Sequence, residues 1–109
     1  MDKETVLFDS GLGTQSVHVW LEWRGGDMLL CSQDIGPALV PHFGEDEIET
    51  FLTVKAAQLS QLARALGCRP TRGSIGAALV DRYEGDSAAT SHLRALLEEH
   101  AIRHEFSVI

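Results

Sequence analysis

The sequence lacks the features of an exported, membrane-spanning or disulfide-bonded protein. It has two cysteines, Cys31 and Cys68, which lie far apart and outside any CxxC pair. Isolated thiols of this kind are typical of reduced, partly buried cysteines, and no tight ligand cluster predicts a zinc site. There is no basic start followed by an apolar stretch, and no apolar run approaches the roughly 18 residues of a membrane span. These absences predict a cytoplasmic protein with no metal ligand and no cofactor.

Positive charge is also scarce, above all in the first half of the chain. The sequence has 9 lysine and arginine residues against 16 aspartate and glutamate residues, for a formal net charge of −7. Lys3 and Arg24 are the only bases within residues 1–54. Because acidic surfaces repel phosphates, this balance opposes binding to nucleic acid or to an anionic membrane. It favours a basic protein partner, although acidity also serves simply to keep a protein soluble.

What the chain does contain predicts one folded domain over residues 1–109. Its hydrophobic content of 44 % is ordinary for a globular protein. Residues 16–23 alternate between apolar side chains on one face and Trp20 with its polar neighbours on the other, as in a half-buried strand. Gly25 and Gly26 then suit the two central positions of a type I′ hairpin turn. We predict strands at 5–9, 16–23, 28–32 and 45–54, which together form a β-meander over residues 1–54.

The second half changes to helical spacing. Leucines and alanines recur at three- and four-residue intervals before Gly67, which predicts a helix that ends there. Ser74 and Asp86 are suitable N-cap residues for two further helices within residues 55–102. Residues 103–109 alternate again as a final strand. Strands followed by helices predict an α+β fold, an antiparallel sheet of about four N-terminal strands plus a C-terminal strand, with about three helices on one face.

No catalytic motif emerges from the remaining residues. The glycine pairs near Gly11 and Gly73 lack a complete phosphate-binding fingerprint. Histidines can act as general acids or bases, which leaves a small hydrolase or nuclease that uses His18 or His42 as an alternative. An accessory regulatory domain is a further alternative. We assign no catalytic residue.

Three features are candidates for binding a protein partner. Alternate positions of a strand share a face, so the acidic stretch around Glu47 forms a stripe of negative charge. This stripe either binds lysines and arginines of a partner or is a solvated edge face that discourages aggregation between sheets. The second candidate is a polar turn at residues 33–37. The third is the aromatic Trp20, which is a candidate contact if helices leave its face of the sheet uncovered. The predicted contact residues are Trp20, Gln33, Asp34, Glu45, Asp46, Glu47 and Glu49.

The stretch from Asp27 to Gly67 resembles small bacterial immunity proteins that accompany polymorphic toxins, including those of contact-dependent growth inhibition. The turn at residues 33–36, the acidic strand entry at residues 44–49 and the helix at residues 54–66 carry this resemblance. It covers less than half of the chain. The resemblance implies a cytoplasmic protein, not an enzyme, that binds and neutralises a cognate toxin domain, often a nuclease. Together with the charge, it predicts acidic occlusion of a basic active-site surface.

Overall fold

The computed structural model describes residues 5–11, 16–36, 39–44 and 47–109, without the side chains of His42 and Phe43. The predictions for Glu45, Asp46 and the His42 side chain therefore lie outside the described residues. The elements follow in the order β1 (Thr5–Ser10), β2 (Ser16–Arg24), β3 (Asp27–Ile35), the single helical turn α1 (Val40–Phe43), β4 (Glu47–Val54), a 3₁₀ turn (Ala56–Gln58), α2 (Leu59–Leu66), α3 (Arg72–Tyr83), α4 (Ala89–Glu99) and β5 (Glu105–Val108).

The five strands form one antiparallel sheet in the order β1-β2-β3-β4-β5. β5 pairs with β4 although α2, α3 and α4 lie between them in the chain. The predicted α+β fold is confirmed, with a meander of four strands and a C-terminal strand. β5 covers one side of β4 along residues 50–53, so that part of the strand is internal, whereas Glu47 lies beyond the residues that pair with β5. The interpretation of the acidic stretch as a solvated edge face stays a prediction.

Alternation along the strands selects the face on which the helices pack. Val19 and Leu21 of β2 are each 1 % exposed and lie in one hydrophobic cluster with Leu30 and Leu52 of the neighbouring strands. The helices complete this cluster with fully buried side chains, namely Leu62, Ile75, Leu79, Leu93 and Leu97. Each such side chain contributes about 1.5–3 kcal/mol by leaving water. We call this side of the sheet the inner face.

The helix ends are decided by local hydrogen bonds. Gly67 ends α2 as predicted, with a left-handed φ of 73°. Ser74 is not the cap of α3, because the Thr71 hydroxyl accepts the Ser74 N–H at 3.2 Å and the helix begins one turn earlier. Asp86 is not the N-cap of α4 either. It accepts the N–H of Ala88 at 2.8 Å, and the helix begins at Ala89.

Three connections also differ from their predictions. β3 continues to Ile35 rather than turning at residue 33, because β2 and β4 pair with it on both sides up to that residue. The predicted loop before Gly44 contains the helical turn α1. In the β2–β3 hairpin only Gly25 has a positive φ, which is the pattern of a type II′ turn rather than type I′. A Cβ at Gly26 would lie 3.0 Å from the Cβ of Ala56, so close packing explains the second glycine.

The helices of the described chain are short. The longest, α3, has 12 residues. No described helix combines the length and the apolar character that a bilayer crossing requires.

Candidate protein-binding face

The side of the sheet opposite the helices carries Trp20, Cys31 and Phe51, and we call it the outer face. These three side chains lie in one row, because Trp20 pairs with Cys31 and Cys31 with Phe51. None of them belongs to the cluster that the sheet shares with the helices. Helices α2, α3 and α4 therefore pack on the inner face, and Trp20 lies on the face that these three helices leave uncovered.

Negative charge is concentrated on this outer face. Arg24 is the only arginine or lysine in the five strands. The alternation and the strand registers place six of the seven strand carboxylates on the outer face, namely Asp9, Glu22, Asp27, Glu47, Glu49 and Glu105. The strands thus present an acidic surface, and Lys55, directly after β4, offsets part of this charge by its contacts with Asp27 at 3.4 Å and Glu105 at 3.8 Å.

An apolar centre lies within this acidic surface. Cys31 is fully buried although it lies on the outer face, where Trp20 and Phe51 flank it on the neighbouring strands. Leu29, in the next row, is 5 % exposed. Trp20 and Phe51 remain partly exposed themselves. The outer face therefore combines half-buried aromatic side chains with a surrounding of carboxylates.

The Glu22 carboxylate orders one side of this apolar centre. One oxygen accepts the indole N–H of Trp20 at 3.0 Å, and the other accepts Nε of Arg24 at 2.7 Å. The Arg24 guanidinium lies 5.9 Å from the centroid of the Phe51 ring. The hydrogen bond and the charge of Glu22 raise the pKa of Arg24.

A polar row crosses the sheet beside the aromatic row. It runs through Asp9, His18, Gln33 and Glu49, each paired with the next on the neighbouring strand. Nε2 of Gln33 donates to the Glu47 carboxylate at 2.5 Å. The Glu49 carboxylate makes no hydrogen bond or ion pair with a described residue. The structure thus brings four of the predicted contact residues, Trp20, Gln33, Glu47 and Glu49, to one face.

Asp34 does not join them. It pairs with Val17 and Ile48 and lies on the inner face, one alternation step away from Gln33. Desolvation raises the pKa of this carboxyl group. The sequence grouped Gln33 and Asp34 as parts of one turn, whereas the strand pairing places them on opposite sides of the sheet.

The two histidine and carboxylate pairs are the other titratable groups of interest. Nδ1 of His18 lies 2.8 Å from the Asp9 carboxylate on the outer face. Nδ1 of His92 in the first turn of α4 lies 2.5 Å from the Asp86 carboxylate, which precedes this helix. Within the part of the chain that the structure describes, no three histidine, cysteine or acidic side chains form a group that could hold a metal ion.

Sequence reasoning missed several residues of the outer face. Glu22 and Phe51 could have been found, because the period of two in β2 and β4 places them beside Trp20 and Glu49. Val6 and Asp9 could not, because their positions depend on a shift in the register between β1 and β2.

A search of protein-family models finds no matching family, and searches of curated proteins and of solved structures find no match either.

Proposed function

We propose that this protein is an immunity protein that binds a basic toxin domain, a nuclease, and covers its active site with the outer face of the sheet. The supporting observation is the position of Trp20 and Phe51 on an uncovered face whose described strands hold six carboxylates and one arginine. The resemblance of residues 27–67 to immunity proteins of polymorphic toxin systems supports the same proposal. Neutralisation of such a toxin takes place in the cytoplasm.

Charge provides the recognition in this proposal. A nuclease holds the phosphates of its substrate with lysines and arginines, and carboxylates on a facing protein can occupy the same positions. Glu49 has no ion-pair partner among the described residues, and a lysine or arginine of the docked partner would supply a counter-charge to it. Complementary charge raises the association rate and selects the partner.

In this proposal the apolar centre of the outer face keeps the complex together after association. Aromatic side chains are enriched among the residues that dominate binding free energies, especially where surrounding polar residues exclude water. The hydrogen bond from Trp20 to Glu22 fixes the indole before binding, so less side-chain entropy is lost in the complex. Trp20 is accordingly the anchor that we assign to the interface.

The test first asks whether a gene next to this one encodes a protein with a toxin-like domain, and the absence of any such gene would contradict the proposal. That domain is then expressed with and without this protein. We expect the protein to restore growth and to form a stable complex with that domain. Replacing Glu47 and Glu49 by glutamine keeps the side-chain size and the acceptor for Gln33. This variant should bind at least about tenfold more weakly, which corresponds to about 1.4 kcal/mol.

A matched control removes two negative charges elsewhere. Asp81 and Glu84 are exposed at the end of α3, and neither side chain makes a hydrogen bond or ion pair with a described residue. The D81N/E84Q variant should bind as tightly as the parent. Equal losses in both double variants would indicate a general effect of net charge and contradict a specific role of the outer face.

One observation favours a second candidate function. The contact between Asp9 and His18 orients the imidazole beside an open cavity, as a general base requires. A hydrolase that activates water through His18 would lose its activity in the H18A variant. Incubation of the parent and of H18A with RNA tests this candidate, and the absence of cleavage by the parent rejects it for that substrate.

A further inference from the structure

A β-bulge in β1 opens a cavity on the outer face. The register shifts between Val6, which pairs with Trp20, and Phe8, which pairs with Val19. Leu7 is 3 % exposed and lies in the core, and Phe8 packs against the same core. Two consecutive β1 side chains therefore face the helices, and none fills the outer face between Val6 and Asp9. The resulting cavity has a volume of about 280 Å³.

The cavity has one apolar wall and one polar wall. Val6 and Trp20 form the apolar side, and Asp9, His18 and Gln33 line the rest above Val19. Val6 is 58 % exposed, so the apolar wall is open to an incoming group. The shape suits a ligand with an apolar stem and a polar head.

The polar wall offers hydrogen-bond acceptors. A carboxylate accepts only, so the 2.8 Å contact with Asp9 requires a proton on Nδ1 of His18, and in the neutral tautomer with that proton Nε2 is an acceptor. By the same argument Gln33 directs its amide nitrogen to Glu47, which leaves its oxygen as an acceptor. The second carboxylate oxygen of Asp9 is a third. Among the described residues, no lysine or arginine lines the cavity.

The geometry points to a binding pocket for one arginine side chain of the partner protein. The guanidinium group has five N–H donors in a planar fork and no acceptor, which matches a wall of acceptors beside a carboxylate. Its plane stacks on aromatic faces, and its stem packs on apolar surface, as Trp20 and Val6 allow. Lysine has a compact ammonium group with three donors, so it would make fewer hydrogen bonds to the acceptors of the polar wall.

This inference rests on the proposed function for its partner, but the pocket can be tested without the toxin. The probe is N-acetylarginine amide, titrated into the full chain while the indole N–H signals are followed by NMR. Trp23 is in the core, 8 % exposed, so its signal serves as an internal reference. We expect saturable binding with a dissociation constant on the order of 1–10 mM, seen at the Trp20 signal, which its loss from the spectrum of W20F assigns.

Two comparisons identify the chemistry of the pocket. N-acetylcitrulline amide has the same shape without the charge and should bind at least about fivefold more weakly. Asp9→Asn should lower the affinity for the arginine probe by a similar factor, whereas Asp81→Asn should leave this affinity unchanged. Thermal unfolding of each variant shows whether the fold is kept, which we expect for D9N because the new amide retains an oxygen acceptor for His18.

The outcomes separate this inference from the proposed function. Equal binding of the arginine and citrulline probes, unchanged binding in the D9N variant, or no saturable shift of Trp20 would overturn the arginine pocket. A toxin complex that is nevertheless weakened by E47Q/E49Q would retain the proposed function. Arginine binding in a protein that protects no cell from the neighbouring toxin domain would keep the pocket and reject the function.

Discussion

Asp34 and Glu49 are strand carboxylates whose surroundings differ because they lie on opposite faces of the sheet. Glu49 belongs to the outer face, where it is partly exposed among other polar side chains. Asp34 lies on the inner face between Val17 and Ile48, where desolvation disfavours its charge. Because the two residues lie on opposite faces, the Glu49 carboxylate faces the outer surface, whereas burial on the inner face disfavours the charged form of Asp34.

Replacing Asp34 by asparagine should stabilise the protein at neutral pH. Because the folded-state pKa is raised above its usual value of 3.8, the folded protein binds the proton more tightly than the unfolded chain. The stabilising contribution of Asp34 is thus present at low pH and is lost as the pH rises through the raised pKa. After allowance for solvent screening, D34N should gain a few tenths to about 1 kcal/mol at pH 7.

Urea unfolding of D34N and of the parent between pH 4 and pH 7 checks this expectation, with the exposed substitution D81N as the control. The difference in free energy of unfolding between D34N and the parent should become smaller toward pH 4. A D34N protein that is less stable than the parent at pH 7 would show that the carboxylate stabilises the fold. The same variant also tests Asp34 as a partner contact, since its loss of charge should weaken the complex if the partner reaches the inner face.

The elements of this fold are joined where glycine permits unusual geometry. Gly67 ends α2 with a φ of 73°, which side-chain-bearing residues seldom adopt. Gly76 lies inside α3 without a positive φ, and a Cβ there would meet nothing within 4 Å. The two glycines thus differ in backbone conformation and not in available space.

Alanine substitution should therefore have opposite effects at these two positions. We expect G67A to lower the free energy of unfolding by about 1 kcal/mol, because alanine is strained in the left-handed region. G76A should raise it by about 0.5–1 kcal/mol through better helix propensity. Thermal or urea unfolding measures both. A destabilised G76A would indicate that α3 packs more closely at this position than the structure shows.

At the scale of the whole molecule, the described strands and helices differ in net charge. The strands hold seven carboxylates and one arginine, whereas α2, α3 and α4 carry four arginines against three carboxylates, namely Arg64, Arg72, Arg82 and Arg94 against Asp81, Glu98 and Glu99. The protein extends 41 Å along its longest axis, and charges in physiological salt are screened beyond about 8 Å. An approaching partner therefore responds mainly to the layer that faces it.

This difference in charge predicts an association rate that depends steeply on salt. Stopped-flow binding to the cognate toxin domain should slow markedly between about 0.05 and 0.5 M salt, because screening removes the attraction between the outer face and a basic surface. The dependence should be weaker for E47Q/E49Q and unchanged for D81N/E84Q. A flat response of the parent would remove electrostatic steering from the proposed function.

The sequence by itself predicted the elements that depend on local patterns. Alternation in residues 16–23 predicted a strand with Trp20 opposite Val19 and Leu21, and the same period placed Glu47 and Glu49 together. Helical spacing and Gly67 predicted α2 and its end. These predictions succeed because side-chain periodicity and backbone strain are properties of a few consecutive residues.

The tertiary structure alone decided what depends on pairing between distant segments. The extension of β3 to Ile35 follows from two neighbouring strands, and it separates Gln33 from Asp34. The pairing of β5 with β4 makes residues 50–53 internal to the sheet. The bulge that brings Val6 and Asp9 to the cavity is a mismatch in register between β1 and β2. A register is a relation between two strands, set by how their side chains fill a shared core, and neither strand specifies it alone.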